Sequence, residues 1–243
     1  MNGTFLEMSL ATLFGVWIPP FRFKDILKQI EFMANGSLFV VVFCVCFAAM
    51  VTILESSFHM KMVIQNNSMV PGFAAVLILR ELGAVVAALL ITSRVGAGIA
   101  AEVGSMQITE QVDALRMLGM DPVRFIVVPR FISCVISGIL LTLIANVVCI
   151  LCAMAVSQFY LGFTQGMFLT SMNRFVDFYE IFLACIKGAC FAAVVPLISC
   201  YFGFKCKAGA EGVGMATTNS VVASSVAILV IDFVLSYTFS SFY

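Results

Sequence analysis

Five long apolar runs constrain this chain more than anything else in it: residues 37–54, 70–101, 131–156, 181–204 and 217–239. A run of about 18 or more apolar residues is long enough to cross the hydrocarbon of a bilayer. Backbone groups in lipid must be satisfied within the segment or in a closed barrel, and runs of this length lack the alternation of barrel strands. The expected fold is therefore an all-α integral membrane protein with five transmembrane helices at those positions. Composition agrees, because 62% of the residues are hydrophobic and 11% charged, against about half and about a quarter in a soluble domain. The formal net charge is zero, which suggests no polyanionic partner, and no nucleic acid is expected to bind.

Ahead of the first run, "FKDILKQIEFM" puts Phe23, Ile26, Leu27, Ile30 and Met33 on one helical face and Lys24, Asp25, Lys28 and Glu31 on the other. Residues 1–34 therefore read as a membrane-surface segment with an interfacial helix, in which Leu6 to Ile18 lies at or dips into the surface and ends at Pro19-Pro20. The start has no basic stretch and carries Glu7 early, so it is expected to stay on the mature protein. Arg22, Lys24 and Lys28 precede the first span and Lys61 follows it. Arg116, Arg124 and Arg130 follow the second span, Arg174 the third, and Lys205 and Lys207 the fourth, while the C-terminal tail has none. This alternation predicts a cytoplasmic N-terminus and an external C-terminus.

One stretch suggests a different chemistry. In "SRVGAGIAAEVGSM", Gly96, Gly98 and Ala101 have the spacing of a dinucleotide-binding turn. Such a turn follows a strand and opens a helix in a soluble βαβ unit, whereas these residues follow a membrane run. The four-residue recurrence of Gly96, Ala100 and Gly104, and of Gly83 and Ala87, reads instead as a smooth face for close helix packing.

Arg80 and Glu81 fall inside the second span, Lys187 in the fourth and Asp232 in the fifth. A charge at the helix centre costs about 2.5–3.5 kcal/mol on insertion scales, so these residues should face a cavity or one another. Pairing of Lys187 with Asp232 is expected. Arg80 and Glu81 are adjacent, point in different directions and do not readily neutralise each other. Arg94 lies near the cytoplasmic end, where it can snorkel. The nine cysteines sit mostly in apolar runs and read as small buried hydrophobes. Cys149-x-x-Cys152 has no charged or histidine neighbour, so no metal site is expected.

The long polar segment between spans two and three predicts a cytoplasmic coupling helix within residues 105–121. Thr109 is the expected N-cap, Glu110 and Asp113 lie early and Arg116 late, and Gly119 with Asp121-Pro122 stops the helix. Ile108, Val112, Leu115 and Leu118 form its apolar face.

"DALRMLGMDPVRFIVVP" is similar to the loop by which many ABC-importer permeases dock on their ATPase. More specifically, "LRELGAVVAALLITSRVGAGIAAEVGSMQITEQVDALRMLGMDPVRFIVVPR" and "GVGMATTNSVVASSVAILVIDFVL" resemble the MlaE-type permeases of ABC lipid transporters that work with MCE proteins. The resemblance runs from about Ile26 to Phe239. The sequence departs from the family at Ala84, where proline is usual, and at Met215, where a basic residue is common.

The resemblance implies a homodimeric permease in the bacterial cytoplasmic (inner) membrane. Each copy would dock on an ABC ATPase, an MCE-domain protein would sit on the outer side, and phospholipid would pass through a cavity at the dimer interface. The chain has no G-x-x-x-x-G-K-[ST] loop, so no cofactor is expected in it, ATP and Mg²⁺ being bound by the partner. It would be a non-catalytic subunit rather than an enzyme. Met50, Leu54, Phe58 and Leu77 are expected to meet the lipid tails, with Arg80 and Glu81 setting the cavity's polarity. Thr109, Glu110, Gln111, Asp113 and Arg116 are expected to couple to the ATPase, which would shift span two against its dimer mate along the small-residue face. The alternatives are a membrane scaffold that recruits a soluble partner, and a permease for a sterol or another hydrophobic substrate. An ion-coupled secondary transporter would predict inverted repeats and broken helices, and neither is evident.

Overall fold

A computed structural model describes residues 5–17, 23–63, 69–207 and 209–240. The helices are α1 (Phe5–Gly15), α2 (Phe23–Val63), α3 (Val70–Ile108), α4 (Gln111–Met117), α5 (Val123–Tyr160), α6 (Gln165–Phe175), α7 (Phe178–Phe204) and α8 (Ala210–Ser240). Among the described residues there is no strand. Five helices, α2, α3, α5, α7 and α8, are long and apolar enough to cross a membrane, as the fold class requires.

The helices outrun the apolar stretches that announced them. Hydropathy marks only the part in contact with hydrocarbon, whereas the backbone ladder continues through polar residues until something stops it. The expected interfacial helix is thus not a separate element, because α2 runs unbroken from Phe23 into the first span. Asn35-Gly36-Ser37 holds no proline, and a single glycine costs a helix only about 1 kcal/mol. Ile26 and Met33 are buried, while Phe23 and Leu27 of the anticipated apolar face are exposed. The expected break at Pro19-Pro20 lies outside the described residues. Before it, α1 buries Met8, Thr12 and Gly15 and exposes Leu6, Leu10, Leu13 and Phe14.

Among the described residues, three wide turns interrupt the regular ladder. In α3 they span Ile78–Leu82 and Thr92–Gly96, and in α5 Val123–Val127. In each, the amide five residues after the first carbonyl closes the turn, as Gly83 N–H does onto Ile78 O. Such insertions occur often at functional positions.

The chain forms two compact units. The first consists of Met1–Ser37, Leu89–Gly138 and Ala189–Tyr243. In it α8 packs along the last part of α3 through Ala216, Ser220, Ser224 and Ile228, one residue per turn. Ser220 Oγ donates to Ser199 Oγ of α7 at 2.8 Å. The second unit consists of Leu38–Ala88 and Ile139–Gly188. There α6, absent from the sequence expectations, packs on the start of α3. Thr164 caps α6 by accepting from Met167 N–H, and Ser171 Oγ accepts from Gly72 N–H at 3.1 Å.

Candidate functional site

The second unit holds a cluster of four charges. Arg80 Nε donates to Glu180 Oε2 at 2.8 Å, and Lys187 Nζ donates to Glu81 Oε1 at 3.0 Å. Glu180 and Lys187 are almost wholly buried, with side chains 4% and 0% exposed, whereas Arg80 and Glu81 are 32% and 45% exposed. Neighbouring helix residues do not share a face, so Arg80 and Glu81 reach acid and base partners at two levels of α7, two turns apart. Lys187 Nζ also donates to Arg80 O at 3.0 Å. That carbonyl belongs to the wide turn Ile78–Leu82, where the ladder is opened and a side chain can insert.

Arg80 and Glu81 do not neutralise each other, and each is paired instead with a residue of α7. Lys187 is paired with Glu81, and Asp232 is half-buried on α8. Glu180 went unnoticed in the sequence because it lies at the edge of its apolar run. Its spacing of seven residues from Lys187, one helical face, was the available signal.

The residues proposed for lipid contact all lie in this unit. Leu54, Phe58 and Leu77 are exposed and Met50 is half-buried. Leu77 stands one turn before Arg80 and Glu81 on α3, and Phe73, one turn earlier, is also exposed. An apolar strip thus leads to a half-exposed, charge-balanced patch.

Gly83 and Ala87 are buried. A methyl group at Gly83 would strike the carboxamide of Asn146 on α5. In the first unit, a methyl group at Gly96 would meet Ser199 Oγ and Val195 Cγ1 at 3.2 Å, and one at Gly104 would meet Cys206 at 3.4 Å. One at Gly203 would meet Val103 at 2.7 Å and Ala100 O at 3.2 Å. The smooth face of Gly96, Ala100 and Gly104 is therefore occupied by α7 and by Cys206 just beyond its end in the same chain. It is not free to slide against a dimer mate, which corrects the expected coupling route.

The coupling segment is also rearranged. α3 continues to Ile108, and Thr109 ends it, its hydroxyl donating back to Ser105 O at 2.9 Å. Thr109 is therefore a C-cap, not the N-cap of the next helix. Glu110 takes left-handed backbone angles with φ 57° and turns the chain into α4. The coupling helix is confined to Gln111–Met117 within the expected 105–121. Gly119 (φ 74°) closes it, with Met120 N–H donating to Leu115 O at 3.0 Å, as in a glycine C-cap. Asp121, expected to stop α4, also starts the next helix, since its Oδ1 accepts from Val123 N–H at 3.0 Å.

Val112 alone in α4 is buried. Leu118, expected on the packed face, is 72% exposed beside Met117 at 92%. Asp113 and Arg116 pair with each other at 2.6 Å, and Glu110 and Gln111 are exposed. At the base of this hairpin, the nearly buried Arg130 binds Glu102 Oε1 at 2.9 Å. Among the described residues no group of three His, Cys, Asp or Glu could hold a metal ion.

A family model described as Permease MlaE matches residues 26–238. A probable ABC transporter permease protein of Rickettsia bellii is 36% identical over 240 residues, covering 98% of this chain and 91% of the relative. The chloroplastic protein TRIGALACTOSYLDIACYLGLYCEROL 1 of Arabidopsis thaliana is 33% identical over 218 residues, 90% of this chain and 62% of its own length. A probable ABC transporter permease protein of Synechocystis is 31% identical over 214 residues, 88% of this chain and 81% of the relative.

Proposed function

The chain belongs to the MlaE permease family of ABC transporters, and from that membership we propose that it moves phospholipid between the cytoplasmic membrane and an MCE-domain protein. It works as a homodimer with its N-terminus cytoplasmic and its C-terminus periplasmic. A separate ATPase subunit binds ATP and Mg²⁺ and supplies the driving energy.

The observation that carries the lipid reading is the exposed apolar strip of Phe73 and Leu77, one turn from a patch whose charges are balanced by buried partners. A phospholipid has apolar tails and a compact charged headgroup. Phe73 and Leu77, with Met50, Leu54 and Phe58 on α2, offer the tails apolar area. The exposed edges of Arg80 and Glu81 offer the headgroup one donor and one acceptor. Because Glu180 and Lys187 neutralise the patch from behind, an incoming headgroup need not repay a bare buried charge.

Coupling to the ATPase runs through α4. Val112 ties the helix to its own chain, and the exposed pair Met117 and Leu118 enters an apolar cleft of the motor. Asp113 and Arg116 satisfy each other, so the strongest contacts are apolar, with Glu110 and Gln111 at the rim. This revises the expected order of importance, since buried apolar anchors carry more of a typical interface than rim charges. The Glu102–Arg130 pair joins the end of α3 to the start of α5, so a push on α4 reaches both helices together.

Photo-crosslinkers at Leu54 and Leu77 should capture phospholipid in membranes, and failure of both would sink the lipid reading. Met117→Asp should abolish co-purification of the ATPase, while Asp113→Arg should weaken it only a few-fold. Unchanged retention of the ATPase by Met117→Asp would overturn the docking assignment.

A further inference from the structure

The wide turn Thr92–Gly96 of α3 carries Arg94, whose guanidinium lies against Gly36 of α2. A methyl group built on Gly36 would meet Nη2 at 2.5 Å and Cζ and Nη1 at 2.7 Å. Near-equal distances to three atoms of the group mean that its flat face rests on the glycine. The N–H donors at its edge are thereby turned outward, and their fork matches the oxygens of a phosphate.

Arg94 is exposed, and among the described residues no ion pair involves it. Its neighbours are already committed: Ser93 Oγ donates to Leu90 O, and Glu102 is taken by Arg130. Gly98, one turn on, has nothing within 4 Å of where a side chain would begin, so the surface beside the guanidinium is open. The apolar run that starts at Val70 has by Arg94 exceeded the about 20 residues that cross a hydrocarbon core. The arginine therefore stands at headgroup depth. Phe32, one turn from Gly36 on α2, is exposed and offers an acyl chain a contact that a free ion would not use.

We infer that Arg94, seated on Gly36, binds the phosphate of an anionic lipid headgroup at this level of α2 and α3. The bond is charge-assisted and bidentate, and basic surfaces between membrane helices commonly recognise lipids in this way. The site lies fourteen residues beyond Arg80 in the sequence and is separate from the transport path proposed above. It would hold in a chain that transported nothing, so its failure and the failure of the transport reading are distinguishable.

The test is native mass spectrometry of the full chain, delipidated in a non-ionic detergent and then offered phosphatidylglycerol or phosphatidylcholine. Wild type should retain phosphatidylglycerol preferentially. Arg94→Gln should lower that retention by about tenfold, the loss of one hydrogen bond to a charged group, and Arg94→Lys should retain part of it. Gly36→Ala should also weaken retention, because the methyl group displaces the guanidinium while leaving the charge. Arg174→Gln, at an exposed arginine of α6, should change nothing. Retention by Arg94→Gln equal to wild type, or equal retention of both lipids by wild type, would overturn the inference. Displacement of the lipid by millimolar inorganic phosphate would assign the site to the free ion instead. If Arg94→Gln does not fold, Gly36→Ala and Arg94→Lys decide, and wild-type retention by both would refute the site.

Discussion

Replacing Lys187 by methionine tests what its hydrogen bonds to Glu81 and to the Arg80 carbonyl contribute. The lysine side chain is wholly buried, and its ammonium serves Glu81 Oε1 and Arg80 O, each at 3.0 Å. Methionine keeps much of the apolar stem, so the cavity term is small. Arg80 O then loses a donor where the ladder is already opened, at a cost of about 1–3 kcal/mol. Glu81 loses its cation. Breaking a fully buried pair from one side costs about 3–5 kcal/mol, but Glu81 is 45% exposed, so water recovers much of that. The two effects together come to about 2–4 kcal/mol, a drop in apparent melting temperature on the order of 10 °C for a chain of this size. A thiol-reactive fluorophore reads the transition in detergent, because Cys134, Cys149 and Cys200 are buried until the chain unfolds. The decisive comparison is the double variant Glu81→Gln with Lys187→Met. It removes the stranded carboxylate and should recover about half of the loss. A single variant that melts with wild type, or a double variant less stable than the single, would refute the account of the cluster.

Three further substitutions test the helix contacts. Gly83→Ala should destabilise by about 1–3 kcal/mol through overpacking, since its methyl group lands on Asn146; adding Asn146→Ala should restore the melting temperature. Gly203→Leu should prevent accumulation of folded protein, because its Cβ would press on Val103 and the Ala100 carbonyl. Gly98→Ala, with nothing within 4 Å, should instead raise stability by up to about 1 kcal/mol through helix propensity. The same fluorescence melt reads Gly83→Ala and Gly98→Ala, the yield of folded protein reads Gly203→Leu, and a folded yield of Gly203→Leu equal to that of Gly98→Ala would refute the packing argument.

Much of the site was legible in one dimension. The apolar runs required membrane helices, the four-residue recurrence at Gly96, Ala100 and Gly104 required close packing, and the charges at Arg80, Glu81 and Lys187 required company. What escaped was the identity of partners. Glu180 stands at a polar edge where a carboxylate needs no explanation. Thr109 looks like an N-cap because hydroxyls suit both helix ends, and only Glu110's left-handed backbone shows that it closes α3. The wide turn Ile78–Leu82 has no glycine or proline to announce it.

The sequence by itself determined that this chain lives in a membrane as helices and that it belongs to a permease family. Hydrophobic burial and backbone satisfaction in lipid act on stretches of residues, and such stretches are visible in order along the chain. Only the tertiary structure decided which side chain meets which. It gave the small-residue face of α3 to the chain's own α7 and paired Lys187 with Glu81. It left Met117 and Leu118 uncovered and laid Arg94 flat on Gly36. Each of these depends on the rotation and register of one helix against another, fixed by the sum of many weak contacts, and no local pattern encodes that sum.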